Sequence, residues 1–325
     1  VAATQRATDR AGTDWPARLH VVTGKGGTGK TSVAAALALG LAAGGRRTLL
    51  VEVEGRQGIA QLFGTEPLPY AELRLTDAPG DGEVWALAVD AEEALLEYLD
   101  MFYKLGAAGR ALRKLGAIDF ATTIAPGLRD VLLTGKVKEA TTRTVDQRRR
   151  YDAVVLDAPP TGRIGRFLNV TAETARLAKV GPIKTQSEGV AALLRSPMTA
   201  VHVVSLLEEM PVQETIDAID ELASLGFGVG RVIINAARPP LPAGRPVTEA
   251  ELARGLRAAG LPTDRRTLAG LHEEARDQAI RRELEDSLRA DLVELGRPLV
   301  ELPLLPDGVD RAGLDRLAAA LVPGD

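Results

Sequence analysis

The chain predicts an α/β fold: a mostly parallel central sheet flanked by helices, with a helical insert between two of its strands. Three observations carry this. Short apolar, β-branched runs alternate with longer helical patterns, as in parallel sheets with crossover connections. The first strand and the first helix are joined by the glycine-rich stretch Val22-Thr23-Gly24-Lys25-Gly26-Gly27-Thr28-Gly29-Lys30-Thr31-Ser32. The alternation then breaks between residues 91 and 147, where apolar residues recur at helical spacing with no strand between them.

The glycine-rich stretch is the most informative part of the chain. Gly24-x-x-x-x-Gly29-Lys30-Thr31 lies between an apolar run (residues 19–22) and a run of apolar helix formers (residues 33–39), the context that turns a string match into a phosphate site. Its glycines let backbone N–H groups converge on an anion, and the helix N-terminus adds partial positive charge. Lys30 is then placed for the β- and γ-phosphates and the Thr31 hydroxyl for Mg²⁺. Gly24-x-Gly26-x-x-Gly29 also satisfies the dinucleotide fingerprint, with Glu52 and Glu54 near the position of a ribose-binding acid. Lys30-Thr31, which hydride transfer does not need, favours a nucleoside triphosphate, as does Asp157 further along.

Composition bounds the alternatives. A length of 325 residues allows one or two domains, and residues 15–325 read as a single nucleotide-binding domain. A net charge of −4 with 3% aromatic residues argues against a nucleic-acid surface, which needs a basic stripe and stacking rings. The run Arg148-Arg149-Arg150 reads as a solvated helix end. Cysteine is absent, which excludes disulfides, thiolate-held zinc, iron–sulfur clusters and a cysteine nucleophile. His20, His202 and His272 are too scattered for a metal site and read as strand and surface residues. No run approaches the roughly 18 apolar residues of a membrane span. Residues 1–14 lack the apolar core of a signal peptide and read as a disordered polar tail, so a cytoplasmic location is expected.

In chain order, residues 32–41 are apolar on nearly every side, predicting a buried helix that Gly44-Gly45 ends. Residues 48–53 predict a buried parallel strand with Glu52 and Glu54 on one face. Glu54 stands at its carboxyl end, where open parallel sheets carry ligands. Residues 83–90 predict another strand. The insert follows, with Leu95, Leu96, Leu99, Phe102 and Tyr103 on one apolar face and Gly106, Gly109, Gly116 and Pro126-Gly127 as punctuation. Residues 153–157 return to the sheet and end in Asp157, followed by the loop Ala158-Pro159-Pro160-Thr161-Gly162. An apolar strand ending in aspartate is the second Mg²⁺ carboxylate of phosphate-loop proteins. A second helical segment covers about 171–195, interrupted at Gly181-Pro182. Strands are expected at 200–206, 229–235 and 298–305. Helices are expected at 211–226, 265–296 and 310–321, the second of them long and water-facing with charges that serve solvation. Residues 238–246 read as a Pro-rich loop.

These motifs together resemble a known family. With its second lysine, Lys25, the loop resembles the deviant Walker A phosphate loop of the P-loop NTPases. Asp157-Ala158-Pro159-Pro160-Thr161-Gly162-Arg163 resembles the second switch of the arsenite-transporting and tail-anchored-protein-targeting ATPases. The stretches Glu52-Val53-Glu54-Gly55-Arg56-Gln57-Gly58 and Ala125-Pro126-Gly127-Leu128-Arg129-Asp130 resemble the actinobacterial anion-transporting-ATPase-like branch. The resemblance implies ATP or ADP with Mg²⁺ as cofactors, and Gly24 to Ser32 around the phosphates. It puts Thr31 on Mg²⁺ directly and Asp157 on it through water. It puts Glu54, or alternatively Glu52, at the attacking water, and Asn235 at the adenine with the loop 304–307 closing over the base. It has Lys25 reach the nucleotide of a partner subunit, in a homodimer or a heterodimer with a paralogue. Arg163 stands where the family has histidine, and Glu54 where it has aspartate. Without cysteines, thiolate binding of arsenite and zinc at a subunit interface are both excluded.

The function expected is a Mg²⁺-dependent dimeric ATPase whose nucleotide state switches a helical subdomain that binds a client protein or membrane partner. The alternative is a nucleotide-gated binding module, or a heterodimer subunit, with slow or no hydrolysis.

Overall fold

A computed structural model describes residues 15–103, 126–170, 182–239 and 247–323. The expected tail at 1–14, the punctuated part of the insert at 104–125, residues 171–181 of the second helical segment and most of the Pro-rich loop lie outside them.

The first strand, β1 (Leu19–Gly24), is buried along its whole length and sits inside an eight-stranded sheet. Its neighbours are β7 (Ala153–Asp157) and β8 (Thr199–Ser205), both parallel to it. Beyond β7 lie β2 (Arg47–Glu52), β4 (Gly82–Ala88) and β3 (Leu73–Ala78); beyond β8 lie β9 (Val229–Ala237) and β10 (Leu299–Pro303). Every pairing is parallel except β3 with β4.

Side-chain alternation along these strands feeds two cores, one on each face. Leu19, Val21, Leu49, Val51, Val154 and Leu156 share one core with Val131 and Leu133 of α4 (Pro126–Thr142) and Ile164 and Phe167 of α5 (Thr161–Leu168). α6 (Pro182–Leu194), α7 (Glu209–Ser224) and the inner side of α9 (Arg265–Glu294) complete that face. Val22, Leu50 and Val155 point the other way, onto α1 (Lys30–Ala42), α2 (Gly58–Phe63) and α10 (Arg311–Leu321). As expected from its composition, α1 is buried on all sides from Val33 to Ala42. Leu37 and Leu39 are wholly inaccessible, so truncating either to alanine costs about 2–5 kcal/mol. A third, smaller cluster joins Ala94, Leu95 and Tyr98 of α3 (Ala91–Tyr103) to Leu132 of α4.

Several expectations are corrected. The helical insert ends at Thr142 rather than near residue 147, because residues 144–149 form a hairpin of β5 (Thr144–Val145) and β6 (Arg148–Arg149). Its loop residues Asp146 and Gln147 both take positive φ, the geometry of a tight two-residue turn. The arginine run is therefore not a helix end. The Arg150 guanidinium lies 4.9 Å from the centre of the Trp85 ring, a cation–π contact. On α9, Glu285 is not a solvating charge but a buried one. Arg238 at 2.6 Å and Arg282 at 2.9 Å neutralise it. Besides the hairpin, four elements were not anticipated: the half-exposed edge strand β3, the short α2, α8 (Glu249–Ala258) with its Thr248–Glu251 capping box, and α5, which starts at Thr161 within the stretch read as a loop. Among the described residues no helix is long and apolar enough to cross a membrane.

Candidate functional site

The glycine-rich loop runs from the carboxyl end of β1 to the first turn of α1, at the edge of the sheet where ligands collect. Two of its glycines are there for space. A Cβ on Gly24 would stand 2.3 Å from the Val204 carbonyl oxygen, and one on Gly29 2.3 Å from Asn235 Nδ2. Gly29 also takes φ +85°, where a side chain is strained. The loop is laced internally, since the Lys25 carbonyl accepts from the Thr28 hydroxyl at 2.9 Å and from Lys30 Nζ at 3.4 Å. Gly26 and Gly27 have open space at their α-carbons. Ser32 is the third residue of α1.

Lys30, Thr31, Glu52, Glu54 and Asp157 line a cavity of about 40 Å³. The register explains their meeting: Glu52 and Val22 both lie beside Asp157 in adjacent strands, and Val22 leads directly into the loop. The Thr31 hydroxyl donates to Asp157 Oδ2 at 2.6 Å. Burial pushes the Asp157 carboxyl up to about 6 despite the Thr31 hydrogen bond and the nearby Lys30 charge. Burial likewise lowers Lys30, against the pull of Asp157 and Glu54. Glu52 accepts from the Ile59 N–H at 3.2 Å, while its Oε1 is buried with no hydrogen-bond partner among the described residues. Glu54 has Arg56 Nε at 3.6 Å and Arg163 Nη1 at 3.7 Å.

A buried carboxylate oxygen without a hydrogen bond, Glu52 Oε1, near a second carboxylate and its hydroxyl partner, Asp157 and Thr31, is an oxygen donor set of the kind a hard cation takes, so the residues fit Mg²⁺. Among the described residues no group of three or more metal-ligating side chains occurs. That suits an ion which takes one or two protein ligands and completes its shell with water and phosphate.

Lys25 turns away from the loop and forms an ion pair with Glu214 of α7 at 2.6 Å. The other Glu214 oxygen accepts from the Thr161 hydroxyl at 2.9 Å, and these two hydrogen bonds hold the carboxyl below its usual range. Asn235 Nδ2 donates to the Thr28 carbonyl at 2.9 Å, bracing the loop from β9. Sequence reasoning missed Glu214, whose only signal was an acid in the first turns of a helix. It also missed Gln57, whose amide donates to the Leu68 carbonyl at 3.2 Å and accepts from the Leu68 N–H at 2.7 Å, pinning the chain after β2.

A loop of this construction, set between a central parallel strand and a buried helix, belongs to the phosphate-loop NTPases. Comparison with known proteins narrows the class. Residues 17–197 match the family of the anion-transporting ATPases. ATPase BagA of Mycobacterium tuberculosis is 53% identical over 322 residues, covering 94% of each chain. The putative arsenical pump-driving ATPase 2 of Aquifex aeolicus is 26% identical over 69% of this chain and 82% of its own. ATPase GET3 of Kluyveromyces lactis is 26% identical over 66% of this chain and 70% of its own. The chain belongs to the anion-transporting ATPase family and is an ATPase.

Proposed function

We propose that this ATPase is Mg²⁺-dependent, acts as a dimer, and uses its nucleotide state to move helices α3, α4 and α6 for a client. The observation that carries the switching is a chain of charge. Arg163, beside the nucleotide pocket, stands 3.7 Å from Glu54 and 3.6 Å from Asp130 of α4. A shift of Glu54 upon phosphate binding would therefore be felt directly in α4. A cavity of about 590 Å³, lined by Tyr98, Leu132 and Gln186 among others, opens among α3, α4 and α6 and supports a binding role for this segment.

In this reading Lys30 and the amides of Gly26 to Thr31 hold the phosphates, Thr31 and Asp157 hold Mg²⁺, and Glu54 orients the water. Mg²⁺, when bound, neutralises charge developing on the phosphate oxygens. Glu52, anchored to α2, keeps the alternative role at the water. Asn235 approaches the base. Lys25 leaves Glu214 to meet the nucleotide of a second subunit, a cation supplied in trans. Because Glu54 faces two guanidiniums, turnover of the single chain is slow, which also accommodates a nucleotide-gated binding module. The client is a protein or membrane partner, and the dimer is formed with a second copy or a paralogue.

The test is turnover of Mg·ATP against protein concentration. Activity per subunit should rise as dimers form. Lys25→Ala should retain ATP binding while losing at least about tenfold in turnover. Turnover per subunit that is flat with concentration, together with an unimpaired Lys25→Ala variant, would overturn the dimer reading.

A further inference from the structure

A second cavity, of about 180 Å³, adjoins the small one and shares Glu54 and Arg56 in its wall. Three guanidiniums from three different elements line it: Arg56 from the segment after β2, Arg129 from α4 and Arg163 from α5. Of the carboxylates, Glu54 lines the cavity with them, and Asp130 of α4 stands 3.6 Å from Arg163 Nη2. The Glu54 contacts, 3.6 Å to Arg56 and 3.7 Å to Arg163, are longer than the ~2.7–2.9 Å of a charge-assisted hydrogen bond. Among the described residues Arg129 has neither a hydrogen bond nor an ion pair. The Pro159 carbonyl beside the cavity is already engaged by the Thr23 hydroxyl at 2.7 Å.

Like charges converging on one hollow repel unless an anion joins them, and a small tetrahedral oxyanion offers several oxygens to planar N–H forks. Glu54 and Asp130 together carry two negative charges against three guanidiniums, and the wall common to both cavities puts the hollow next to Lys30, Thr31 and Asp157. We infer that the arginine-lined cavity is a binding site for inorganic phosphate, separate from the glycine-rich loop. Phosphate released beside Lys30 enters it through the shared wall, and phosphate from solution fills it from outside. Once there, it ties the segment after β2, α5 and α4 together, so that departure of product is sensed in the helices. The supply of phosphate from within rests on the reading of hydrolysis at the neighbouring loop; the binding itself does not.

The experiment has two arms. In the first, the full chain loaded with ADP and Mg²⁺ is titrated with inorganic phosphate by calorimetry. Arg129→Ala should weaken phosphate at least about tenfold, with Arg129→Lys between it and the parent. ADP affinity should stay within about twofold, because Arg129 does not touch the loop. Arg74→Ala, on the exposed edge strand, should bind phosphate as the parent does. In the second arm, a single turnover of ATP should leave phosphate on the protein, and Arg129→Ala should release it faster. Equal phosphate affinity in Arg129→Ala, Arg163→Ala and the parent overturns the site. Phosphate binding lost only in Lys30→Ala does the same. Absence of ATP turnover alongside intact, Arg129-dependent phosphate binding would sink the switching ATPase and leave the cavity standing.

Discussion

The two ends of β1 both bury polar groups, and they do so in opposite ways. At the amino end His20 faces His202 of β8, Nδ1 to Nε2 at 3.1 Å. His202 Nδ1 accepts from the Arg231 N–H at 3.0 Å, so its Nε2 carries the proton and donates to His20. Trp15 packs edge-on against both rings, at 5.7 and 4.9 Å. Burial keeps both histidines neutral, lowering His20 to about 4 and His202 well below its ordinary value. At the carboxyl end Lys30, Thr31, Glu52 and Asp157 surround a small cavity, with a carboxyl raised to about 6 and a buried oxygen left without a hydrogen bond. The amino end also leaves one buried nitrogen, His20 Nε2, without a hydrogen bond among the described residues, but the packed Trp15, His20 and His202 rings close it and it serves the fold. The other gathers ionisable groups around a cavity, which is how a working site differs from a packed core.

The largest effect expected from breaking this contrast is at the open end. Lys30→Ala removes the cation proposed to hold the phosphates, and a fluorescent-nucleotide titration should show affinity falling on the order of a hundredfold or more. The denaturant midpoint should scarcely move. A variant that lost stability and binding together would erase the distinction.

Acid should act mainly at the closed end. An unfolded histidine takes its proton near 6.5, whereas His20 in the fold waits until about 4, so the unfolded chain binds more protons in between. Stability is therefore intact above that range and falls as pH drops through it, by about 3 kcal/mol from His20 alone at the lower limit. His202 adds to the slope. Urea melts between pH 7 and 4 would measure it, and His20→Gln should flatten it.

Asp157 runs the other way. In the fold it is protonated by about pH 6, whereas an unfolded aspartate holds its charge down to about 3.8, so acid relieves a cost instead of creating one. Asp157→Asn should accordingly stabilise the nucleotide-free chain by about 1–3 kcal/mol in thermal or urea melts. Mg²⁺-dependent turnover should be lost at the same time. A destabilised Asn variant would mean that the carboxylate serves the core.

Much of this was legible in the chain, for particular reasons. β1, β2, β7 and β8 are apolar on both faces, and α1 is apolar all round, so burial was written in residue type alone. The meeting of Lys30, Thr31 and Asp157 could be anticipated because they stand at two strand ends that the sheet brings side by side. The edge strand β3 was obscured by Arg74 and Asp77, charges that suit an unpaired edge but blur the period of two. The hairpin at residues 144–149 turns on Asp146 and Gln147, which lack the glycine that usually announces such a turn. Glu214 lies far from Lys25 in sequence, and only the packing of α7 against the sheet brings them together. Arg163 stood out only as a departure from the family's histidine and Arg129 only as part of a resembling stretch; their convergence is a property of the fold.

The all-round burial of α1 bears on motion. A helix enclosed on every side from Val33 to Ala42 cannot slide or tilt to follow its ligand. A Cβ on Gly40 would already stand 2.8 Å from the Val322 side chain of the segment after α10. In the proposed switch the phosphate-facing turn would therefore be a fulcrum, and displacement driven by a bound nucleotide would fall to elements other than α1. Lesions in the α1–α10 seam should consequently be felt as lost leverage, far from any residue that meets the substrate.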